Sequence, residues 1–121
     1  MATHRARRIL IVEDEWLIAT AIEQMLSGAG FEIAGKVGAV DLALAAIAEH
    51  DCDAVVLDAN LDGASAAPVA QALQLRAIPF VVVSGYANEQ RTGPLAAAPY
   101  IGKPVASASL IAVVRSLVFQ V

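Results

Sequence analysis

A chain of 121 residues has room for one domain of ordinary size, and 58% hydrophobic residues can build a core without disulfides or a structural metal. The net charge of −4, with acids and bases dispersed, weighs against nucleic acid as a main partner, because phosphate contacts need a basic surface. The single cysteine, Cys52, cannot close an internal disulfide, no Cys/His spacing suits zinc, and no apolar segment approaches the roughly eighteen residues of a membrane span.

Arg5, Arg7 and Arg8 precede an apolar run, but the run lasts only from Ile9 to Val12 before Glu13-Asp14-Glu15, too short for a signal peptide. Residues 1–7 are therefore expected to be a flexible basic arm, residues 8–121 the folded domain, and a reducing cytoplasm its setting. The first strand is expected from Arg8 to Val12. A helix follows from Glu15 to Ser27, with Leu17, Ile18, Ala21, Ile22, Met25 and Leu26 at helical spacing. Asp14 is placed either to cap this helix or to bind metal, and Gly28 and Gly30 end it. A second strand spans Phe31 to Val37 and a second helix Val40 to Glu49, opened by Asp41.

The third strand, Ala54 to Leu57, is an unbroken apolar run that reads as buried on both faces and leads into Asp58. A third helix covers Ala66 to Leu75, with Pro68 tolerable in its first turn. A fourth strand runs from Pro79 to Val83, a short fifth from Tyr100 to Gly102, and a last helix from Ser107 to Phe119. Between Ser84 and Tyr100 the pattern weakens, with Gly85, Gly93, Pro94 and Pro99 as punctuation. It has room for one short helix, near Asn88 to Arg91 or Leu95 to Ala98.

Strand–helix alternation implies an α/β fold: a parallel sheet with helices on both faces. Right-handed crossovers favour the five-stranded order 2-1-3-4-5 at this size. That order makes neighbours of the first, third, fourth and fifth strands, whose C-terminal ends carry Glu13-Asp14, Asp58, Ser84 and Lys103. Three carboxylates in one crevice would repel each other and raise one another's pKa, which a hard divalent cation resolves. Mg²⁺ takes one or two carboxylates plus phosphate oxygens, and the backbone carbonyl of Asn60 is a further candidate ligand. Asp58 then becomes a candidate nucleophile for phosphoryl transfer. Lys103 could pair with Asp58 at rest and with the phosphoryl group afterwards, and the Ser84 hydroxyl could bond a phosphoryl oxygen. Taken singly, each residue has a plainer reading as a cap, a turn residue or a surface lysine. Their conjunction at these strand ends is the specific signal.

Ile9 to Glu15 (ILIVEDE), Val55 to Asp58 (VVLD), Val83-Ser84-Gly85 (VSG) and Tyr100 to Pro104 (YIGKP) resemble the receiver domain of two-component response regulators, over essentially the whole chain. The resemblance implies a flavodoxin-like three-layer sandwich. It implies that Asp58 accepts a phosphoryl group from phosphohistidine on a sensor histidine kinase or a histidine phosphotransfer protein. Glu13 and Asp14 become the acid pair serving Mg²⁺, with Asp14 the direct ligand. Ser84 and Tyr100 become switch residues, Lys103 contacts the phosphoryl group, and Lys103-Pro104 is a cis peptide. Such a protein is a phosphoacceptor, not an enzyme, self-phosphorylating and slowly autodephosphorylating at most.

The stretch Ala59-Asn60-Leu61-Asp62-Gly63, Pro79-Phe80, Ser84-Gly85-Tyr86 and a short or absent fourth helix are similar to alphaproteobacterial single-domain receivers named for a Phe-Ala-Thr-Gly-Tyr motif, although Val82-Val83-Ser84 departs from it. Tyr86 is either a shield for the aspartyl phosphate or a half-buried loop aromatic. A stand-alone receiver would signal by binding a downstream protein, or act as a phosphoryl relay or sink, without nucleic acid or membrane. The alternatives are a haloacid-dehalogenase-type phosphatase, a flavin or nucleotide binder on the same fold, and an inactive receiver serving as an interaction module. The first is disfavoured because its nucleophile follows the first strand, the second because no glycine-rich loop follows the first strand. The third is disfavoured because the set of site residues is complete.

Overall fold

The computed structural model describes residues 6–49, 51–85 and 93–119. In chain order the elements are β1 (Arg8–Val12), α1 (Trp16–Gly28), β2 (Glu32–Val37), α2 (Val40–Ala48), β3 (Ala54–Asp58), β4 (Asn60–Leu61), β5 (Ala64–Ser65), α3 (Ala67–Leu75), β6 (Phe80–Ser84), a 3₁₀ helix (Gly93–Ala97), β7 (Tyr100–Gly102) and α4 (Ser107–Val118). The main sheet is parallel, in the order β2-β1-β3-β6-β7. This is the order expected from sequence once the hairpin β4–β5, a separate two-stranded sheet, is set aside.

Alternation along the strands divides the core into two layers. Leu10, Val12, Val55, Leu57 and Val82 face α2 and α3, packing on Ala43, Ile47, Val69 and Leu73. Ile9, Ile11, Val56, Val81 and Val83 face the other way, against Ile22 and Leu26 of α1 and Leu110 and Val114 of α4. Each fully buried aliphatic side chain here contributes roughly 1.5–3 kcal/mol. Every residue of β3 and β6 is buried, as expected for central strands covered on both faces. Pro68 sits at the start of α3, where the missing N–H costs nothing.

Three expectations are revised. Asp14 does not cap α1: the cap position is Glu15, and no side chain caps it. The hairpin β4–β5 was not foreseen, although Asp62-Gly63, at φ 52° and 86°, is the Asp-Gly signature of a tight two-residue turn. Arg7, expected in the free arm, is tied to the fold: its carbonyl accepts the Glu32 N–H at 2.9 Å, and its guanidinium lies 5.4 Å from the Phe119 ring centroid. Between β6 and β7 the 3₁₀ helix Gly93–Ala97 overlaps the second of the two expected short-helix positions, while Asn88 to Arg91 lies outside the described residues.

Candidate functional site

The C-terminal ends of four parallel strands converge on one rim, the place where α/β sheets bind ligands. β1 leads into Glu13 and Asp14, β3 ends on Asp58, β6 ends on Ser84, and β7 leads into Lys103. Register brings them close: Asp58 pairs with Val83, Ser84 pairs with Gly102, and the Lys103 N–H donates to the Ser84 carbonyl at 2.9 Å. The cleft they form has a volume of about 380 Å³ and is lined by Asp14, Asp58, Asn60, Ser84 and Lys103, among others.

Glu13, Asp58 and Ser84 are buried, whereas Asp14 is exposed at the mouth. The Lys103 ammonium stands between two acids, 3.0 Å from Glu13 Oε1 and 3.3 Å from Asp58 Oδ2. The contact with Asp58 is a hydrogen bond, while the one with Glu13 Oε1 is an ion pair without hydrogen-bond geometry. Glu13 Oε2 accepts the Glu15 N–H at 3.1 Å, which fixes the buried acid against the start of α1. Asp58 Oδ1 accepts the Asn60 N–H at 3.3 Å. The hairpin reaches back over the site, where the Asp62 N–H donates to Asp14 Oδ2 at 3.2 Å and the Gly63 N–H to Asn60 Oδ1 at 2.9 Å.

The electrostatics follow from this geometry. Burial, and then the neighbouring Glu13 carboxylate, push the Asp58 carboxyl up to about 7, with only partial relief from the Asn60 N–H and Lys103. Burial alone would lower the Lys103 pKa, but the Glu13 and Asp58 carboxylates outweigh it and raise it. One lysine is thus shared among too many acids. Carboxylate oxygens of Glu13, Asp14 and Asp58 lie within 4.8 Å of one another, the donor set of hard oxygens that suits Mg²⁺. A divalent cation would offset the charge that now raises the Asp58 pKa, so the residues present fit that ion.

The remaining expected positions fall as follows. The Tyr100 hydroxyl, half-buried, donates to the Ser84 carbonyl at a long 3.4 Å, which joins the two expected switch residues. Lys103-Pro104 is cis. Asn60 lies two residues beyond Asp58 and lines the cleft. Tyr86 lies outside the described residues. Sequence reasoning missed the hairpin's hold on Asp14, which the Asp62-Gly63 dipeptide could have flagged. Cys52 plays no part: burial and the adjacent acids push its thiol up to about 11, far from thiolate at neutral pH.

Comparison with known proteins identifies the family. The family profile described as the response regulator receiver domain matches residues 9–115. The chain is similar to the transcriptional regulatory protein PdtaR of Mycobacterium tuberculosis, 32% identical over 111 residues, covering 87% of this chain and 53% of that protein. It is similar to the transcriptional regulatory protein PrrA of Mycobacterium bovis, 34% identical over 116 residues, covering 91% of this chain and 49% of that one. The chain therefore spans about half the length of the curated relatives it matches. Among solved structures it resembles SdrG of Sphingomonas melonis Fr1, with TM-score 0.81 and 35% identity, covering 93% of this chain and 96% of that one. The protein belongs to the response regulator receiver domain family. It is accordingly a signalling domain of two-component systems, and the phosphatase reading is set aside.

Proposed function

We propose that Asp58 accepts a phosphoryl group from phosphohistidine on a sensor histidine kinase or histidine phosphotransfer protein. The observation that supports this is the buried Asp58 carboxylate at a strand end, one oxygen on Lys103 and the other on a backbone N–H, beside an acid pair fit for Mg²⁺. An Asp58 oxygen forms the new O–P bond as the N–P bond to the donor imidazole breaks, and the freed imidazole keeps the electron pair. Glu13, Asp14 and Asp58, with the Asn60 carbonyl, would hold Mg²⁺, which when bound supplies charge neutralisation for the carboxylate and the phosphoryl oxygens. Lys103 exchanges its bond to Asp58 Oδ2 for one to a phosphoryl oxygen while keeping Glu13. The Ser84 hydroxyl donates to a second phosphoryl oxygen, and Tyr100, bonded to the Ser84 backbone, transmits that change.

The chain then signals to a downstream protein or passes the phosphoryl group on, in the cytoplasm, without nucleic acid or membrane. Among the described residues no helix is long and apolar enough to cross a membrane. The test is intact mass after incubation with Mg²⁺ and a small phosphodonor. One phosphoryl group should be gained per chain, and no gain under any donor overturns the reading.

The donor protein would dock beside the cleft. An apolar groove of about 490 Å³ runs between α1 and the segment after β7, lined by Leu17, Ile18, Ala21, Met25, Pro104 and Val105. Lys103 lines both this groove and the acid cleft, so the two are continuous. Leu17 in this groove remains 76% exposed, and Trp16, its neighbour in the chain, 69%, a large apolar area for a surface helix to leave bare. Leu17→Asp should slow transfer from a protein donor by roughly 10-fold or more, as expected for a central apolar contact, while labelling by a small phosphodonor is retained. Equal slowing with both donors would point to damage at the cleft instead.

A further inference from the structure

We infer that Gly38 is a positioning residue for the acid pair: its missing side chain lets the turn between β2 and α2 lie directly against the backbone of Asp14. A Cβ at position 38 would stand 3.2 Å from Asp14 Cα, 3.5 Å from the Glu13 carbonyl oxygen and 3.8 Å from Asp14 Cβ. Carbon atoms pack comfortably at about 3.5–4.0 Å, and the closest atom here is backbone, which cannot rotate aside. The turn cannot simply retreat, because the Glu13 N–H donates to the Val37 carbonyl at 2.9 Å. Asp14 is held on another side by the Asp62 N–H on Oδ2. The left-handed glycines among the described residues are Gly30, Gly63 and Gly93, so Gly38 is not needed for an unusual φ. Its role is close approach. An added methyl group must move Asp14 by a few tenths of an ångström relative to Glu13 and Asp58, and the carboxylate cluster loses its spacing.

This inference rests on the reading of Glu13 and Asp14 as Mg²⁺ ligands. The test is a titration with Mg²⁺ and with Ca²⁺, followed by fluorescence of Trp16, two residues beyond Asp14, on wild type, Gly38→Ala and Gly35→Ala. Gly35 is the control, since a Cβ there meets the flexible Leu10 Cδ1 at 3.6 Å. The Mg²⁺ Kd of Gly38→Ala should rise roughly 10-fold, in the range seen when residues that orient metal ligands are changed, while Gly35→Ala stays within about twofold. The metal-free melting temperature of Gly38→Ala should fall by only a few degrees, because alanine's restriction of the unfolded chain partly offsets the strain of the close contact with Asp14. Its Mg²⁺-to-Ca²⁺ affinity ratio should fall, because Mg²⁺ tolerates displaced ligands less well. Unchanged Mg²⁺ affinity overturns the inference. So does a loss that follows metal-free destabilisation with the Mg²⁺-to-Ca²⁺ ratio intact. A wild-type chain silent to Mg²⁺ overturns the metal-site reading itself.

Discussion

Asp58→Asn should gain no phosphoryl group under conditions where the wild-type mass rises by one. An amide oxygen is not a nucleophile for phosphorus, and the substitution can keep the neighbouring contacts. The Asn side-chain oxygen can still accept the Asn60 N–H that Asp58 Oδ1 accepts at 3.3 Å. Lys103 keeps its pairing with Glu13, 3.0 Å away. Glu13 and Asp14 are not expected to take over: Glu13 is buried and paired with Lys103, and Asp14 Oδ2 is held by the Asp62 N–H. Residual labelling on Asp14 or Glu13, located by peptide mapping, would show that the cleft is not selective for Asp58. Stoichiometry separates a phosphoacceptor from a phosphatase, since the former stops near one group per chain and the latter turns over.

The same substitution should stabilise the metal-free protein, with a defined pH dependence. Asp58 has a folded-state pKa of about 7 against an ordinary 3.8. Below roughly pH 4 the carboxyl is protonated in folded and unfolded chains alike. Between roughly pH 4 and pH 7 the folded chain keeps a proton that the unfolded chain has lost, so stability falls as pH rises through this window. Above it the full cost is present, on the order of 4 kcal/mol. Lys103 adds no slope in this window: its pKa is raised above an already high ordinary value, so it is charged in both states, and its stabilisation is lost only at alkaline pH.

Asp58→Asn should flatten the pH profile and, at pH 8 without metal, raise the melting temperature by roughly 10 °C or more. Added Mg²⁺ should raise the wild type more than the variant, because binding to the folded state alone stabilises it. A wild-type profile flat from pH 4 to pH 8 would mean that Lys103 fully compensates the acids. The opposed effects of one substitution, lost labelling and gained stability, are the signature of a residue kept for its chemistry at a structural cost.

The strands were legible because their residues carry the evidence themselves. Ala54-Val55-Val56-Leu57 has no polar face, which only a strand covered on both sides tolerates, and all five residues of β3 are buried. The site was legible because a parallel sheet places like ends together, so Glu13, Asp14, Asp58, Ser84 and Lys103 meet once the strand order is known. Asp14 was open between capping and metal binding because a strand-to-helix turn suits both. The structure removes the capping reading, since the cap position is Glu15, and it ties Asp14 Oδ2 to the Asp62 N–H from 48 residues away. The β4–β5 hairpin was missed because strands of two residues have no periodicity to read, although their Asp-Gly turn does carry a signal.

The sequence by itself determined the α/β class, the strand order and which residues meet at the rim, because hydrophobic period and strand-end chemistry are local properties. Tertiary structure alone decided how those residues share charge. One lysine stands between Glu13 and Asp58, the Asp58 carboxyl is pushed toward neutrality, and a hairpin tip and a side-chain-free turn hold Asp14. These depend on burial and on ångström-scale distances between segments far apart in the chain. A pKa or a close contact is a property of the space around a residue, and the residue's own letter does not contain it.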